Sequence, residues 1–163
     1  MIYKQALDSL SSSSSTQNNL DGVFFVAVLQ ALSKEQEQKL HAWKLSQQVL
    51  DHALELYQNH TLSRVNEIFF CSMLEACKNL AQEEEEEEED QDSYYNILIK
   101  IMNHAKHGGF VSRRLLSILR QCCVTMMGNQ QQHHGTLIKI LNVKDTNQLP
   151  FDWSRKIPHK YKP

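Results

Sequence analysis

Four apolar positions that recur three times restrict what this chain can fold into more than any other feature it carries. A shift of 45 residues aligns Phe25 with Phe70 and Leu115, Val28 with Met73 and Ile118, Leu29 with Leu74 and Leu119, and Leu32 with Cys77 and Cys122. Within each copy the four fall at i, i+3, i+4 and i+7, the spacing that gathers side chains on one face of an α-helix. A second echo runs between the copies: "NILIKIMNHA" (96–105) returns as "GTLIKILNVK" (135–144). Both echoes fit one array in which a helix carrying the quartet alternates with a second helix.

This pattern predicts first helices near 22–33, 66–81 and 111–127 and second helices near 40–58, 93–106 and 135–143. Phe25, Leu29, Phe70, Leu74, Leu115 and Leu119 are expected to be buried. In the first of the second helices, "HAWKLSQQVLDHALELYQ" (41–58), Ala42, Leu45, Val49, Ala53 and Leu56 share a face. From Leu29 to Val49 is 20 positions and from Leu119 to Ile140 is 21, but from Leu74 to Ile101 is 27. The excess is matched by seven consecutive glutamates, Glu83 to Glu89. The run reads as a loop insertion or as a solvated helix extension; like charges at i, i+4 repel within a helix, so 83–90 is expected to be a solvent-exposed acidic insertion.

The chain has only five Gly and three Pro, and Pro150, Pro158 and Pro163 all lie in its last fourteen residues. Strand-rich folds need more turn residues than this. The expected fold is therefore all-α: a short α-solenoid of about three antiparallel helical hairpins over 22–145, followed by an irregular, basic, Pro-containing tail over 146–163. The Ser-rich segment 1–21 is expected to be disordered. "HGG" (107–109) ends a helix with residues that tolerate positive φ, and "GNQQQHHG" (128–135) reads as a loop. Phe151 and Trp153 are expected to close the exposed end of the array, since terminal repeats must be closed off.

No apolar run approaches the roughly 18 residues of a membrane span, so no membrane partner is expected. Cys71, Cys77, Cys122 and Cys123 lack metal-binding or CxxC spacing and fall at apolar positions, so they read as reduced core thiols of an intracellular protein. The chain shows no clear transit or signal peptide. His104 and His107 are three apart, but no third metal ligand stands at suitable spacing. No phosphate loop, nucleophile elbow or HExxH motif is present. A non-catalytic protein with no cofactor and no small-molecule substrate is expected.

The phrase "YYNILIKIMNHAKHGG" resembles the Tyr-Asn-x-Leu-Ile…Lys-x-Gly opening of a pentatricopeptide helix pair. "EIFFCSMLEACKN" and "FFVAVLQALSK" resemble it with Phe70, Met73, Leu74 and Phe25, Val28, Leu29 in the matching places. The chain is thus similar to pentatricopeptide and related tetratricopeptide repeat proteins, including diatom or algal pentatricopeptide-type members, over about 22–145. Its period of 45 is longer than the family's, about 35. The resemblance implies RNA binding, with one base read per repeat, or a tetratricopeptide-like scaffold for a protein or peptide. It also makes an organellar location an expectation. The base-reading positions it implies are Ala27, Ser72 and Ile97, of which Ser72 alone has a side chain able to hydrogen-bond a base.

Charge singles out a contact surface independently. Residues 1–109 carry 8 Lys/Arg against 17 Asp/Glu, a net of −9, whereas residues 110–163 carry 9 against 2, a net of +7. The cations Arg113, Arg114, Arg120, Lys139, Arg155, Lys156, Lys160 and Lys162, interleaved with Trp153 and Tyr161, are the candidate nucleic-acid contacts: phosphates would meet the cations and bases the rings. The alternative is that the same residues merely keep the terminal repeat soluble.

Overall fold

The computed structural model describes residues 21–35, 38–80, 88–127, 133–146 and 148–163. Among these the protein is all-helical. Its α-helices are α1 (Gly22–Leu32), α2 (Lys39–Gln58), α3 (Glu67–Leu80), α4 (Glu88–Gly108), α5 (Arg113–Met127) and α6 (His133–Leu141). Two 3-10 turns, Phe151–Ser154 and His159–Tyr161, follow in the C-terminal segment. The six α-helices lie close to the ranges that periodicity predicts. No described helix is long and apolar enough to cross a membrane.

Three boundaries differ from expectation. α4 starts at Glu88, so Glu88, Glu89 and Asp90 form helix instead of an excursion. Glu83–Glu87 lie outside the described residues, as do 1–20 of the Ser-rich segment. Asp21, assigned to that segment from sequence, is already the N-cap of α1. α6 starts at His133, so His133 and His134 are helical and not part of the loop; residues 128–132 of that loop are outside the described set.

The quartet positions are buried as their spacing requires, except Val28, which is partly buried. Phe25, Leu29, Phe70, Leu74, Leu115 and Leu119 are all fully enclosed, together with Met73, Cys77 and Cys122. Each such apolar side chain stabilises the fold by about 1.5–3 kcal/mol. α1 packs on α3 and α3 on α5, while α2 packs on α4 and α4 on α6; α1, α3 and α5 also each pack on the helix that follows. α3 is therefore covered on both flanks, and nine of its fourteen residues are buried.

Helix ends recur along with the quartets. α1, α3 and α5 each begin at a polar side chain that accepts from a first-turn backbone N–H. Asp21 Oδ1 accepts from Val23 N (3.0 Å), Asn66 Oδ1 from Phe69 N (3.3 Å) and Ser112 Oγ from Leu115 N (3.1 Å), which satisfies a donor the helix leaves open. α2, α4 and α6 all close with a residue at positive φ: His60 (57°), Gly109 (77°) and Asn142 (53°). In each, the next N–H reaches back five residues: Thr61 to Leu56 O (3.0 Å), Phe110 to Ala105 O (2.9 Å) and Val143 to Ile138 O (3.3 Å). This is the Schellman closure.

Candidate anion-binding groove

The C-terminal segment docks with few fully buried residues. Between 148 and 163 only Ser154 and Ile157 are buried; Leu149 and Trp153 pack half-buried against the core, and polar contacts hold the rest against the α4–α5 connection. Val111 N donates to Trp153 O (2.8 Å) and Lys156 N to Gly109 O (3.0 Å). Arg155 Nη2 donates to His107 O, one of the carbonyls that the end of α4 leaves without a helical partner. The Lys156 ammonium stands 4.6 Å from the Phe110 ring centroid. Gly109 makes the fit possible: its φ is positive, and a Cβ there would lie 2.5 Å from Arg155 Cγ. The segment is thus docked on a helix connection, and Phe151, expected to help close the end of the array, is 70% exposed.

This docking leaves a groove of about 630 Å³ between α5 and the segment. α5 supplies Arg113, Leu116 and Arg120, one face at i, i+3, i+7. The segment supplies Phe151, Trp153, His159 and Lys162 among others, and no Asp or Glu is found among the described lining residues. Cations of one sign sharing a cleft focus a positive potential into it. The chain also uses these groups internally. Arg113 Nε donates to the Lys162 carbonyl, and the Lys162 ammonium lies 4.0 Å from the Phe151 ring centroid. Behind them, Lys106 stands 5.0 Å from the Trp153 ring and donates to Leu141 O (3.2 Å); burial lowers its pKa from the usual lysine value.

The structure divides the candidate residues read from the sequence. Arg113, Arg120, Trp153 and Lys162 converge on the groove. Arg114 turns instead to α3, 3.3 Å from Glu75 Oε1. Arg155 and Lys156 hold the segment in place, and Lys160 lies over its own neighbour Tyr161 at 4.7 Å. Lys139 is exposed on α6 and does not line the groove. Ser72 is a correction: at 3% exposure it is buried, because α3 is covered by α1 and α5, and its hydroxyl meets no surface a base can reach. Phe151 and His159 are groove residues that sequence reasoning missed as ligand contacts. Their signal was their place among Pro150, Pro158 and the tail cations.

Elsewhere the reactive side chains are withdrawn. Burial pushes the thiol pKa of Cys71 and Cys122 up to about 12 and that of Cys123 to about 11, and it raises Cys77 as well. All four are free and buried. His104 packs edge-on against Tyr57, ring centroids 5.9 Å apart, and its pKa is lowered by burial first, then by Lys100 and His107. Among the described residues no three His, Cys, Asp or Glu side chains converge as metal ligands. Comparison with known proteins finds no matching family model, no matching curated protein and no matching solved structure.

Proposed function

We propose that this protein is a short α-solenoid of three antiparallel helical hairpins that acts by binding, without catalysis, and that it holds single-stranded RNA at its basic C-terminal third. The solenoid reading is supported by the packing of alternate helices on one another, by a side-chain cap at the start of α1, α3 and α5 and by a Schellman closure at the end of α2, α4 and α6. The observation that carries the RNA reading is the groove itself. Arg113, Arg120 and Lys162 face a cleft with no described Asp or Glu side chain, beside two aromatic rings. Phosphates supply the charge such a cleft attracts, and unpaired bases supply faces for the rings. Base reading by one residue per repeat, as the pentatricopeptide resemblance implies, is not supported at buried Ser72.

A second reading, a tetratricopeptide-like scaffold for a protein or peptide, draws on Val23 and Ile68. These stand at equivalent positions one period apart and are 55% and 51% exposed. Salt separates the two. Single-strand binding loses affinity with a log–log slope of about −0.7 per phosphate neutralised, so three cations predict roughly −2. An apolar contact responds little. Titrating the full chain with single-stranded RNA across a salt series, for wild type and for Arg113, Arg120 and Lys162 jointly changed to Ser, tests this. Loss of affinity alike for all RNA sequences in the triple variant supports the RNA reading; absence of RNA binding by wild type removes it. The larger set Arg155, Lys156, Lys160 and Lys162 is a poorer test, because Arg155 and Lys156 also anchor the segment.

A further inference from the structure

The geometry points to Phe151 as the ring on which the groove stacks a nucleic-acid base, with Lys162 as its exchangeable cover, so that the groove accepts unpaired strands and rejects duplex. This deepens the RNA reading above and rests on it. Phe151 is the most exposed large hydrophobic residue of the described chain at 70%, whereas Leu149, Trp153 and Ile157 of the same segment are packed or buried. A ring left in water contributes little to folding, yet the backbone that carries this one is tied by hydrogen bonds. Pro150 precedes it, Trp153 N donates to Pro150 O (3.1 Å), and Ser154 Oγ donates to Phe151 O (3.2 Å). The 3-10 turn thus presents the ring before any ligand arrives, which lowers the ordering cost of binding.

The present neighbour of that ring is weak and mobile by chemistry. Lys162 is half-buried, and an ammonium over a phenyl ring is in general worth less than a stacked base, so a base entering the groove displaces it. Lys162 does not leave with its head group, because the Arg113 Nε bond holds its backbone carbonyl. The freed ammonium therefore stays within reach of the phosphate beside the stacked base. Arg113 and Arg120, seven residues apart on α5, sit about 10 Å apart along the helix axis, which lets the strand run along α5 while one base turns to the opposite wall. A groove of 630 Å³ is within the range of about 300–1,000 Å³ that encloses a ligand, and one or two nucleotides are of that size. Paired bases have both faces covered by their own stack and offer nothing to Phe151.

The test uses the full chain, the variants Phe151→Leu, Phe151→Tyr and Lys162→Gln, and three probes: a short oligoadenylate, its duplex with oligouridylate, and inorganic polyphosphate. Circular dichroism checks that each variant keeps its helix content. The expected result is that Phe151→Leu weakens oligoadenylate roughly 5- to 150-fold, the worth of one stacked base, and leaves polyphosphate unchanged. Phe151→Tyr should retain binding, Lys162→Gln should weaken both anions, and duplex should bind more weakly than the single strand. Equal loss of oligoadenylate and polyphosphate in Phe151→Leu would make the ring a structural support and overturn the inference. So would unchanged oligoadenylate affinity in Phe151→Leu, in which case the RNA reading stands on its phosphate contacts alone. If wild type binds polyphosphate but not oligoadenylate, the RNA reading fails and the inference with it.

Discussion

In α3, nine of fourteen residues are buried and two neighbouring helices cover the flanks. In residues 148–163 two are buried, and docking runs through three hydrogen bonds to the α4–α5 connection and a set of ammonium–ring contacts. The first region is held by apolar area, which is non-directional and needs only the right period. The second is held by groups that must meet at given atoms. That contrast explains why the candidate groove forms where it does: a segment that buries little beyond Leu149, Trp153 and Ile157 leaves the Phe151 ring exposed.

The largest expected effect is in the apolar region. Phe70→Ala removes a fully buried ring that packs edge-on against Tyr57 and Phe69, with centroids 5.6 and 5.2 Å away. It should cost about 3–5 kcal/mol in urea unfolding. A loss below about 1 kcal/mol would show that the site collapses freely and that α3 is not the well-packed centre described. The same interior should keep all four thiols unreactive toward an aromatic disulfide reagent at neutral pH until the chain unfolds, because each is buried and each thiol pKa is raised.

Gly109→Ala probes the other kind of cohesion. It forces a residue with a Cβ into positive φ, at about 1–2 kcal/mol, and drives that Cβ into Arg155 Cγ. Hydrogen exchange should show the Val111 amide, now bonded to Trp153 O, losing protection while the amides of α3 keep theirs. Equal loss in both regions would mean that the segment and the helices open as one unit.

Ser112→Ala lies between the two regions, at the start of α5. The hydroxyl caps Leu115 N (3.1 Å) and donates to the Glu67 carboxylate at the start of α3. Losing a cap costs about 0.5–2 kcal/mol. Because Ser112 is fully buried, the cost should exceed that of Asp21→Ala at the half-exposed cap of α1, as measured by paired thermal melts.

The smallest effect is expected from acid. His104 binds its proton less readily in the folded state than in the unfolded chain, because of burial, Lys100 and His107. The unfolded state therefore takes up more protons as pH falls through the ordinary histidine range, near about 6.5. Stability should decline as pH falls through that range and level off once His104 is protonated in both states. His104→Gln should flatten that part of the profile; an unchanged profile would assign it to other groups.

Much of the helical frame was legible because its signal is local. The spacing of Phe25, Val28, Leu29 and Leu32, repeated at Phe70 and Leu115, names a helix face without reference to any other part of the chain. The caps were less legible: Asp21 and Asn66 keep the 45-residue step, but Ser112 falls one residue later. Ser72 was misplaced for a related reason. A resemblance assigns a residue to a position in a motif, but which side of α3 is covered depends on where α1 and α5 lie.

The sequence by itself determined the all-helical class, the ends of most helices and the six residues at the centre, since the periodicity of a helix and the punctuation of its termini act over a few residues. Only the tertiary structure decided which of the basic residues share a groove. Arg113 and Arg114 are adjacent, yet one faces the C-terminal segment and the other pairs with Glu75. Arg155 and Lys156 look like binding cations but spend their contacts on His107 O and Phe110. Phe151 looks like a cap and stands in solvent. These partners of Arg113, Arg114, Arg155 and Lys156 are all more than thirty residues away, and no pattern within the segment encodes them, because a cation's partner is chosen by the fold that brings a carbonyl, a carboxylate or a ring within reach.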